Sequence, residues 1–198
     1  MADTFPPSVI IISGPNGAGK STAAPNLLQG TLAVKEFVTA DVIARGLSAF
    51  EPGRVAMAAG RIMLQRLDEL AQERATFAFE TTLASKSFAQ WIMKLKSTGY
   101  LFHLIYLWLP SSDMAIGRVE ARVRQQGHHV PDDIVQRRYQ RGLANFFELY
   151  LPIATTWQMF YNAGATGPAL VAAGGETDPD RVLMPEIWKE IKSAAGYA

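Results

Sequence analysis

The sequence predicts an α/β fold in which a mainly parallel sheet of about five strands lies between layers of helices. Short apolar runs rich in β-branched residues alternate with longer segments whose apolar residues recur at helical spacing, the pattern of successive β-α-β units. The 198 residues are 48% hydrophobic, which is enough to bury one core of this kind. No linker rich in proline, glycine and serine divides the chain, so we expect a single domain over residues 1–198.

The predicted strands are apolar runs that are too short to form stable helices. They cover residues 9–13, 35–39, 76–79, 102–109 and 169–173. The first run ends at Gly14, and the second and third are followed closely by the carboxylates Asp41 and Glu80. In open parallel sheets, ligands bind beyond the carboxyl ends of the strands, so a site is expected beside these three positions.

The predicted helices occupy the segments between these runs. They cover residues 20–29, 55–74, 87–98, 111 or 112 to about 126, 132 or 133 to 150, and 181–194. Pro25 would remove the hydrogen bond to the Ser21 carbonyl, so the first helix is expected to be short or kinked. Whether the fifth helix resumes beyond Pro152 stays open at this point.

Composition excludes several classes of function. The net charge of +1 gives no overall field that would attract nucleic acid or an anionic membrane. The absence of cysteine excludes disulfides, thiolate metal sites and cysteine nucleophiles, and it suits a reducing cytoplasm. The longest apolar stretches, residues 9–12 and 104–109, are far shorter than the roughly 20 residues that span a bilayer, and residues 1–8 lack the pattern of a signal peptide. We therefore expect a cytoplasmic protein that binds neither nucleic acid nor membrane.

The strongest local motif is a glycine-rich loop between the first predicted strand and the first predicted helix. It matches the pattern G-x-x-x-x-G-K-[ST] in full and precedes Thr22; its residues are Gly14, Pro15, Asn16, Gly17, Ala18, Gly19, Lys20 and Ser21. In such a loop the backbone N–H groups face phosphates, Lys20 reaches the β- and γ-phosphates, and the Ser21 hydroxyl coordinates Mg²⁺. The sequence therefore predicts a three-layer P-loop NTPase fold that binds ATP with Mg²⁺ at residues 14–22.

Asp41 and Glu80 are the two carboxylates at predicted strand ends. Either could accept a proton from a substrate hydroxyl, order Mg²⁺-bound water or hold the substrate. Either could instead cap a helix or turn a loop, as aspartate often does at such boundaries. The residues alone do not choose between these roles.

Arginine is concentrated in one part of the chain. Six of the twelve arginines are Arg118, Arg122, Arg124, Arg137, Arg138 and Arg141. The i,i+4 spacing places the first two on one helix face and the fourth and sixth on another, and the short connection between the helices allows one to fold back on the other. We interpret the segment from about residue 118 to residue 141 as a helical lid whose arginines neutralise a transferred phosphoryl group. A solvated basic face, partly matched by Glu120, Asp132 and Asp133, is the alternative.

Four segments in this order resemble the zeta-toxin-like family of P-loop kinases, the small predicted ATPases related to zeta toxin. They are the glycine-rich loop, Thr-Ala-Asp at residues 39–41, Phe-Ala-Phe-Glu-Thr-Thr-Leu at residues 77–83, and residues 122–131 leading to Arg137, Arg138 and Tyr139. The resemblance extends from residue 8 to about residue 162. Many families share the loop, whereas the glutamate segment and the R-V-x-x-x-G-H-x-V-P…R-R-Y stretch are much more specific.

The resemblance implies a kinase mechanism. Asp41 matches the aspartate proposed as catalytic base, which deprotonates the acceptor hydroxyl, and Glu80 matches the glutamate that helps to hold substrate and metal. Arg122, with either Arg137 or Arg138, matches the lid arginines that clamp the phosphates. Together with the loop lysine, these residues would transfer the γ-phosphate of ATP to a hydroxyl of a small molecule.

The resemblance says less about the phosphate acceptor. Characterised zeta toxins phosphorylate UDP-N-acetylglucosamine, a UDP-activated amino sugar, on its sugar. This sequence is similar to the smaller branch of the family, and the substrate loops of the toxins do not match it residue by residue. A small-molecule acceptor is therefore expected, with a UDP-activated amino sugar as one candidate. The resemblance also allows an antitoxin partner, but nothing in the sequence supports one.

Two other functions agree with parts of the sequence. The sequence of this loop is common in mechanical or regulatory ATPases of the ABC kind. However, no LSGGQ-like signature follows it, and no predicted strand ends in Asp-Glu. A nucleic-acid-binding module using the arginines is disfavoured by the near-neutral charge and by the lack of a basic stripe interleaved with aromatic residues. Phe160, Tyr161 and Asn162 precede a glycine-rich stretch and are a further candidate for the surroundings of the adenine.

Overall fold

The described part of the chain, residues 6–29, 34–124, 129–164 and 166–197, forms one seven-stranded sheet flanked by helices in a computed structural model. The strands are β1 (Ser8–Ser13), β2 (Glu36–Val38), β3 (Phe77–Thr81), β4 (Leu101–Trp108), β5 (Thr156–Tyr161), β6 (Ala169–Gly175) and β7 (Arg181–Val182). Their order across the sheet is β2-β3-β1-β4-β5-β6-β7. The pairings from β2 to β5 are parallel, whereas β6 and β7 add antiparallel pairings at one edge.

The helices connect and cover these strands. They are α1 (Lys20–Gln29), α2 (Ala40–Leu47), α3 (Ala56–Gln72), α4 (Ser87–Ser97), α5 (Ser112–Arg124), α6 (Asp132–Asn145) and α7 (Pro185–Ala194). The first has the predicted bounds and contains Pro25. Across the described ranges, no helix is both long and apolar enough to cross a membrane.

Side-chain alternation along β1 divides the core into two layers. Val9 and Ile11 pack on one side of the sheet, and Ile10 and Ile12 pack on the other, because successive side chains of a strand face opposite ways. Helices α3 and α4 contribute to the first layer, and helices α1 and α5 contribute to the second. A parallel strand covered on both faces needs a continuous apolar run, which residues 9–12 supply. The predicted α/β fold class, a mainly parallel sheet between two layers of helices, is confirmed.

Helix α2 is absent from the predicted elements, which place no helix between the second strand and residue 55. Thr39 caps this helix: its backbone is extended, and its Oγ1 accepts a hydrogen bond from the Val42 N–H at 3.2 Å. The helix is only eight residues long and contains Gly46, which lowers its helix propensity. A segment of eight residues is shorter than the window of about 11 to 18 residues over which a helical pattern is normally recognised in a sequence.

Strand β5 is the second difference, because the sequence leaves the residues after Pro152 as an open continuation of the fifth helix. Instead, α6 passes into a π-type turn at Phe146–Tyr150 and a 3-10 turn at Leu151–Ile153, and β5 then pairs with β4. Its buried side chains include Trp157 and Met159, and four of its six residues are threonine or aromatic types that favour strands, although no run of valine and isoleucine marks the segment. Pairing with a strand about 50 residues earlier decides its conformation.

The C-terminal part supplies the remaining differences. Arg181–Val182 forms β7 at the sheet edge, so the last helix begins at Pro185 and not at residue 181. Proline suits the first turn of a helix because its missing N–H would have no partner there. Strands β5 and β7 raise the strand number from the predicted five to seven. The predicted end of the fourth helix, near residue 126, lies outside the described residues.

Candidate active site

The glycine-rich loop follows the strand at the centre of the parallel part of the sheet. β1 lies between β3 and β4, and the Oγ of its last residue, Ser13, donates a hydrogen bond to the Ile105 carbonyl oxygen at 2.7 Å. The bond ties the end of β1 to β4, and the chain then turns into the loop and enters α1 at Lys20. The loop therefore stands at the carboxyl edge of the parallel strands, where ligands bind in such sheets.

Three positions in the loop require glycine. Gly14, Gly17 and Gly19 have φ angles of +133°, +77° and +77°, which residues with side chains rarely adopt. A Cβ on Gly14 would lie 2.3 Å from the Leu107 carbonyl oxygen, and a Cβ on Gly17 would lie 2.7 Å from the Ala115 carbonyl oxygen. The loop is therefore packed directly against β4 and α5, and a side chain at either position would displace backbone.

The loop presents backbone donors that remain available. The Ala18 N–H closes a turn on the Pro15 carbonyl oxygen at 3.1 Å, but the N–H groups of Gly17 and Gly19 have no acceptor among the described residues. Free N–H groups beside a helix N-terminus form a concave anion site, since the helix dipole also favours negative charge there. The loop therefore fits the phosphates of a nucleotide.

Lys20 is buried beside this loop. Its Nζ donates hydrogen bonds to the carbonyl oxygens of Gly14 and Pro15, each at 2.9 Å, and lies 3.6 Å from Glu80 Oε1. Burial lowers the pKa of Lys20, and the negative charges of Glu80 and Asp41 oppose that shift. Because an ammonium group has three donors and two are held by carbonyls, one remains for an anionic partner.

Glu80 and Ser21 place a carboxylate and a hydroxyl group side by side at the start of α1. The parallel register pairs Glu80 of β3 with Ile12 of β1, and the Ser21 Oγ donates a hydrogen bond to Glu80 Oε2 at 2.7 Å. The sequence predicts that Glu80 follows a strand ending at residue 79. In the structure, Glu80 lies inside β3, which continues to Thr81. A hydroxyl and a carboxylate are hard oxygen ligands of the kind that Mg²⁺ prefers, so this pair fits the predicted metal.

Asp41 does not cap the helix on which it lies. The hydroxyl of Thr39 performs that role, so the alternative of a capping aspartate does not apply at this position. Asp41 lies in the first turn of α2, and its Oδ2 is 3.6 Å from Arg122 Nη1 on α5. The Asp41 carboxylate also acts to raise the pKa of both Lys20 and Arg138, so it shares one electrostatic environment with the loop.

Helix α6 presents one of its two adjacent arginines to the loop. Arg138 Nη1 donates a hydrogen bond to Asn16 Oδ1 at 3.4 Å, whereas Arg137 is exposed. Burial is the main cause that lowers the pKa of Arg138; the charge of Arg137 adds to this shift and that of Asp41 opposes it. Of the two arginines that the sequence left as alternatives, the structure brings Arg138 beside the loop.

The remaining residues considered from the sequence are less closely involved. Arg118 donates from Nη1 to the backbone carbonyl of Asn162 at 2.8 Å, so it binds protein backbone. Arg124, Arg141 and Thr22 are exposed. The connection between α5 and α6 includes residues 125–128, which lie outside the described residues.

Asn162 contacts the loop, a role that the sequence does not indicate. From the sequence it is only a candidate for the adenine surroundings, because it precedes a glycine-rich stretch. It follows β5, and its Nδ2 donates a hydrogen bond to the Ala18 carbonyl oxygen at 2.7 Å. Its backbone N–H donates to the Trp108 carbonyl oxygen at 3.0 Å. The signal that could have found it is strand β5 itself, since a polar residue just after a parallel strand lies at the ligand edge of the sheet.

The comparison that decides the family covers the loop and most of the site. Residues 9–149, more than half of the chain, match the AAA domain family AAA_33. The chain belongs to this family. The matched residues include the glycine-rich loop, both carboxylates and the arginines of α5 and α6. This AAA_33 protein is 31% identical over 130 residues to an uncharacterized protein of Haemophilus influenzae, a match covering 66% of this chain and 91% of that protein.

Solved structures share the fold of this AAA_33 protein. A chain of the AvrRxo1-ORF1:-ORF2 crystal structure with ATP is 17% identical with a TM-score of 0.77, and the match covers 98% of this chain but only 65% of that one. A chain from the PezAT chromosomal toxin–antitoxin system of Streptococcus pneumoniae is 15% identical with a TM-score of 0.62, covering 98% of this chain and 86% of that one. At these identities the similarity shows the fold alone. The family match and these similarities confirm the predicted P-loop NTPase fold and, at the level of the fold, the resemblance to zeta-toxin-like P-loop kinases.

Proposed function

We propose that this AAA_33 protein is a kinase that transfers the γ-phosphate of ATP to a hydroxyl group of a small molecule. The observation that carries the proposal is the place of Asp41. Its carboxylate is not used as a helix cap, lies beside Arg122 at 3.6 Å, and shares an electrostatic environment with the loop lysine. A carboxylate so placed can accept the proton of a hydroxyl group that attacks the γ-phosphate. A kinase needs such a base for its acceptor, whereas a mechanical ATPase has no small-molecule acceptor.

Three cations surround the position of the transferred group. Lys20 lies under the loop, Arg122 reaches from α5, and Arg138 reaches from α6 to Asn16. Phosphoryl transfer spreads negative charge over the equatorial oxygens, and fixed cations in a site shielded from water stabilise that charge. The N–H groups of the loop would hold the phosphates in line with the acceptor.

Ser21 and Glu80 would hold Mg²⁺, either directly or through its bound water. Mg²⁺ held there would supply positive charge that neutralises the negative charge developing during transfer. Glu80 accepts the Ser21 hydroxyl hydrogen bond at 2.7 Å, so it also orients that hydroxyl beside the loop.

Helices α5 and α6 would act as the lid, from residue 118 to residue 141. The part of α5 nearest the loop is fixed, because a Cβ on Gly17 would contact the Ala115 carbonyl and because Arg118 binds the Asn162 backbone. Val119, Val135 and Tyr139 are buried in the core as well, so the two helices would cover the phosphates mainly through long side chains such as Arg122. Such cover would exclude water and reduce loss of the phosphoryl group to hydrolysis.

The acceptor would enter beside α2. Asp41 lines a small cavity with Ala44, Arg45, Pro52 and Ala56, between α2 and the start of α3. This cavity, about 40 Å³, has room only for the reacting end of an acceptor, and Arg45 adds a positive charge one turn from the proposed base. A UDP-activated amino sugar such as UDP-N-acetylglucosamine carries both hydroxyls and phosphate charge, and it is the first acceptor to test. We do not propose an antitoxin partner, since the PezAT similarity concerns the fold.

The first prediction follows the γ-phosphate. Incubated with γ-labelled ATP, Mg²⁺ and either UDP-N-acetylglucosamine or a metabolite extract, the protein is expected to place label on a small molecule. Lys20→Ala is expected to lose this transfer, because the buried ammonium that faces the phosphates is removed. Chromatography of labelled products is the measurement. Label released only as free phosphate with every acceptor would contradict the kinase proposal and support a P-loop ATPase.

The second prediction concerns Mg²⁺. Ser21→Ala and Glu80→Gln are each expected to raise the Mg²⁺ concentration for half-maximal activity by about tenfold or more, as loss of a ligand or of its orienting partner does in other metal sites. Titration of Mg²⁺ at fixed ATP measures this effect. Ser193→Ala, at an exposed serine of α7, is the matched control. A Mg²⁺ dependence unchanged in both loop-side variants would show that the metal is held elsewhere.

A further inference from the structure

We propose that Asn162 is a positioning residue that orients the backbone of the phosphate-binding loop, and that it supports binding of the triphosphate and not of the base. The inference rests on the proposed nucleotide-binding function and adds a residue outside the loop motif, 144 positions from the loop carbonyl that it contacts. Asn162 also lies outside the residues matched by the family, which end at residue 149.

The side chain of Asn162 holds one peptide group of the loop. Its Nδ2 donates to the Ala18 carbonyl oxygen at 2.7 Å, in the peptide unit whose other end is the Gly19 N–H. A trans peptide is planar, so its C=O and N–H point in opposite directions. Fixing the Ala18 carbonyl toward Asn162 therefore fixes the Gly19 N–H away from it, and this N–H has no acceptor among the described residues. The contact therefore keeps the Gly19 N–H turned away from Asn162, where it can donate to a phosphate.

Asn162 is itself held from two sides. Its backbone N–H donates to the Trp108 carbonyl oxygen at the end of β4, at 3.0 Å, and its own carbonyl oxygen accepts from Arg118 Nη1 of α5 at 2.8 Å. Through these three hydrogen bonds, Asn162 connects β4 of the sheet, Arg118 of α5 and the loop. Because its backbone is anchored in this way, Asn162 has only its side-chain rotamer left to fix when it holds the loop.

The loop sequence is adapted to this contact. A Cβ on Gly19 would lie 2.8 Å from Asn162 Nδ2, so the amide occupies space that a side chain at position 19 would need. Gly19 has a φ of +77°, a conformation that also favours glycine. Glycine at this position therefore admits both the loop conformation and the amide that fixes it.

The test compares ATP with inorganic tripolyphosphate, each with Mg²⁺, by calorimetry on the full chain. Asn162→Ala is expected to raise the dissociation constants of both ligands by the same factor, about tenfold, because the effect acts on the phosphate cradle. Asn162→Asp keeps the size of the side chain but replaces the donor with an acceptor facing a carbonyl oxygen, so a larger and again equal loss is expected. Asn26→Ala, at an exposed asparagine of α1, is the matched control.

The outcomes separate this inference from the function on which it rests. A wild-type protein that binds neither ligand, or a Lys20→Ala variant that binds both normally, would contradict the proposed function. Wild-type binding with unchanged affinities in both Asn162 variants would overturn the inference alone. Loss of ATP affinity with unchanged tripolyphosphate affinity would make Asn162 a base contact, and unfolding of both variants would make it a residue of general stability; either result overturns the proposal.

Discussion

Asp41→Asn is expected to lower kcat for phosphoryl transfer by about 10³-fold while changing ATP affinity by no more than about twofold. The amide keeps the size of the side chain but cannot accept a proton from the acceptor hydroxyl. ATP binding depends mainly on the loop and Lys20, and the substitution leaves the hydrogen bonds between Lys20 and the loop carbonyls in place. Steady-state kinetics with the acceptor found by labelled-ATP transfer, together with calorimetry for ATP, measure the two effects separately.

The control for this substitution is Asp113→Asn. Asp113 is exposed and, like Asp41, lies in the first turn of a helix, so both substitutions remove a negative charge from a helix N-terminus. Only Asp41 faces Arg122 and the loop lysine. Equal rates for the wild type and Asp41→Asn would refute the assignment of the base, even if the protein is a kinase.

The second large effect is expected at Arg138. Arg138→Ala should lower kcat by about 10³-fold, the lower end of what an arginine contributes to stabilising charge on a transferred phosphoryl group. The side chain is partly buried and contacts Asn16 of the loop at 3.4 Å, so it is already beside the phosphate site. Arg137→Ala should cost much less, because Arg137 is exposed.

Arg141→Ala completes this comparison as the matched control. Arg141 is exposed on the same helix and has the same charge, so its substitution reproduces the change in net charge without reaching the loop. Single-turnover measurements with excess enzyme would separate the chemical step from product release. If Arg137→Ala lowered the rate more than Arg138→Ala, Arg137 and not Arg138 would be the arginine that stabilises the transferred phosphoryl group.

The glycine-rich loop could be predicted in detail because its determinants are contiguous. The apolar run of β1, the three glycines with positive φ, and the lysine and serine at the start of α1 are neighbours in sequence. A turn that exposes N–H groups at a helix N-terminus depends mainly on these local conformations. The predicted strand and helix on either side of the loop were therefore confirmed with little change in their bounds.

Elements with weak local signals could not be predicted in the same way. β5 contains polar and aromatic residues without a β-branched run, and α2 is two turns long with an internal glycine. Both acquire their conformation from neighbours: β5 from its parallel pairing with β4, and α2 from its packing against α3 and the cap at Thr39. Because β5 is not among the predicted strands, the sequence does not show that Asn162 lies at the ligand edge of the sheet.

By itself the sequence determined the fold class, the loop with Lys20 and Ser21, and the candidate roles of Asp41, Glu80 and the arginines. Only the tertiary structure decided which of these residues meet. The register of β3 on β1 brings Glu80 to Ser21 across 59 positions, and the packing of α6 brings Arg138 and not Arg137 to Asn16 across 122 positions. The physical reason is that turns and helix starts depend on adjacent residues, whereas contacts between distant side chains depend on how the sheet and the helices pack together.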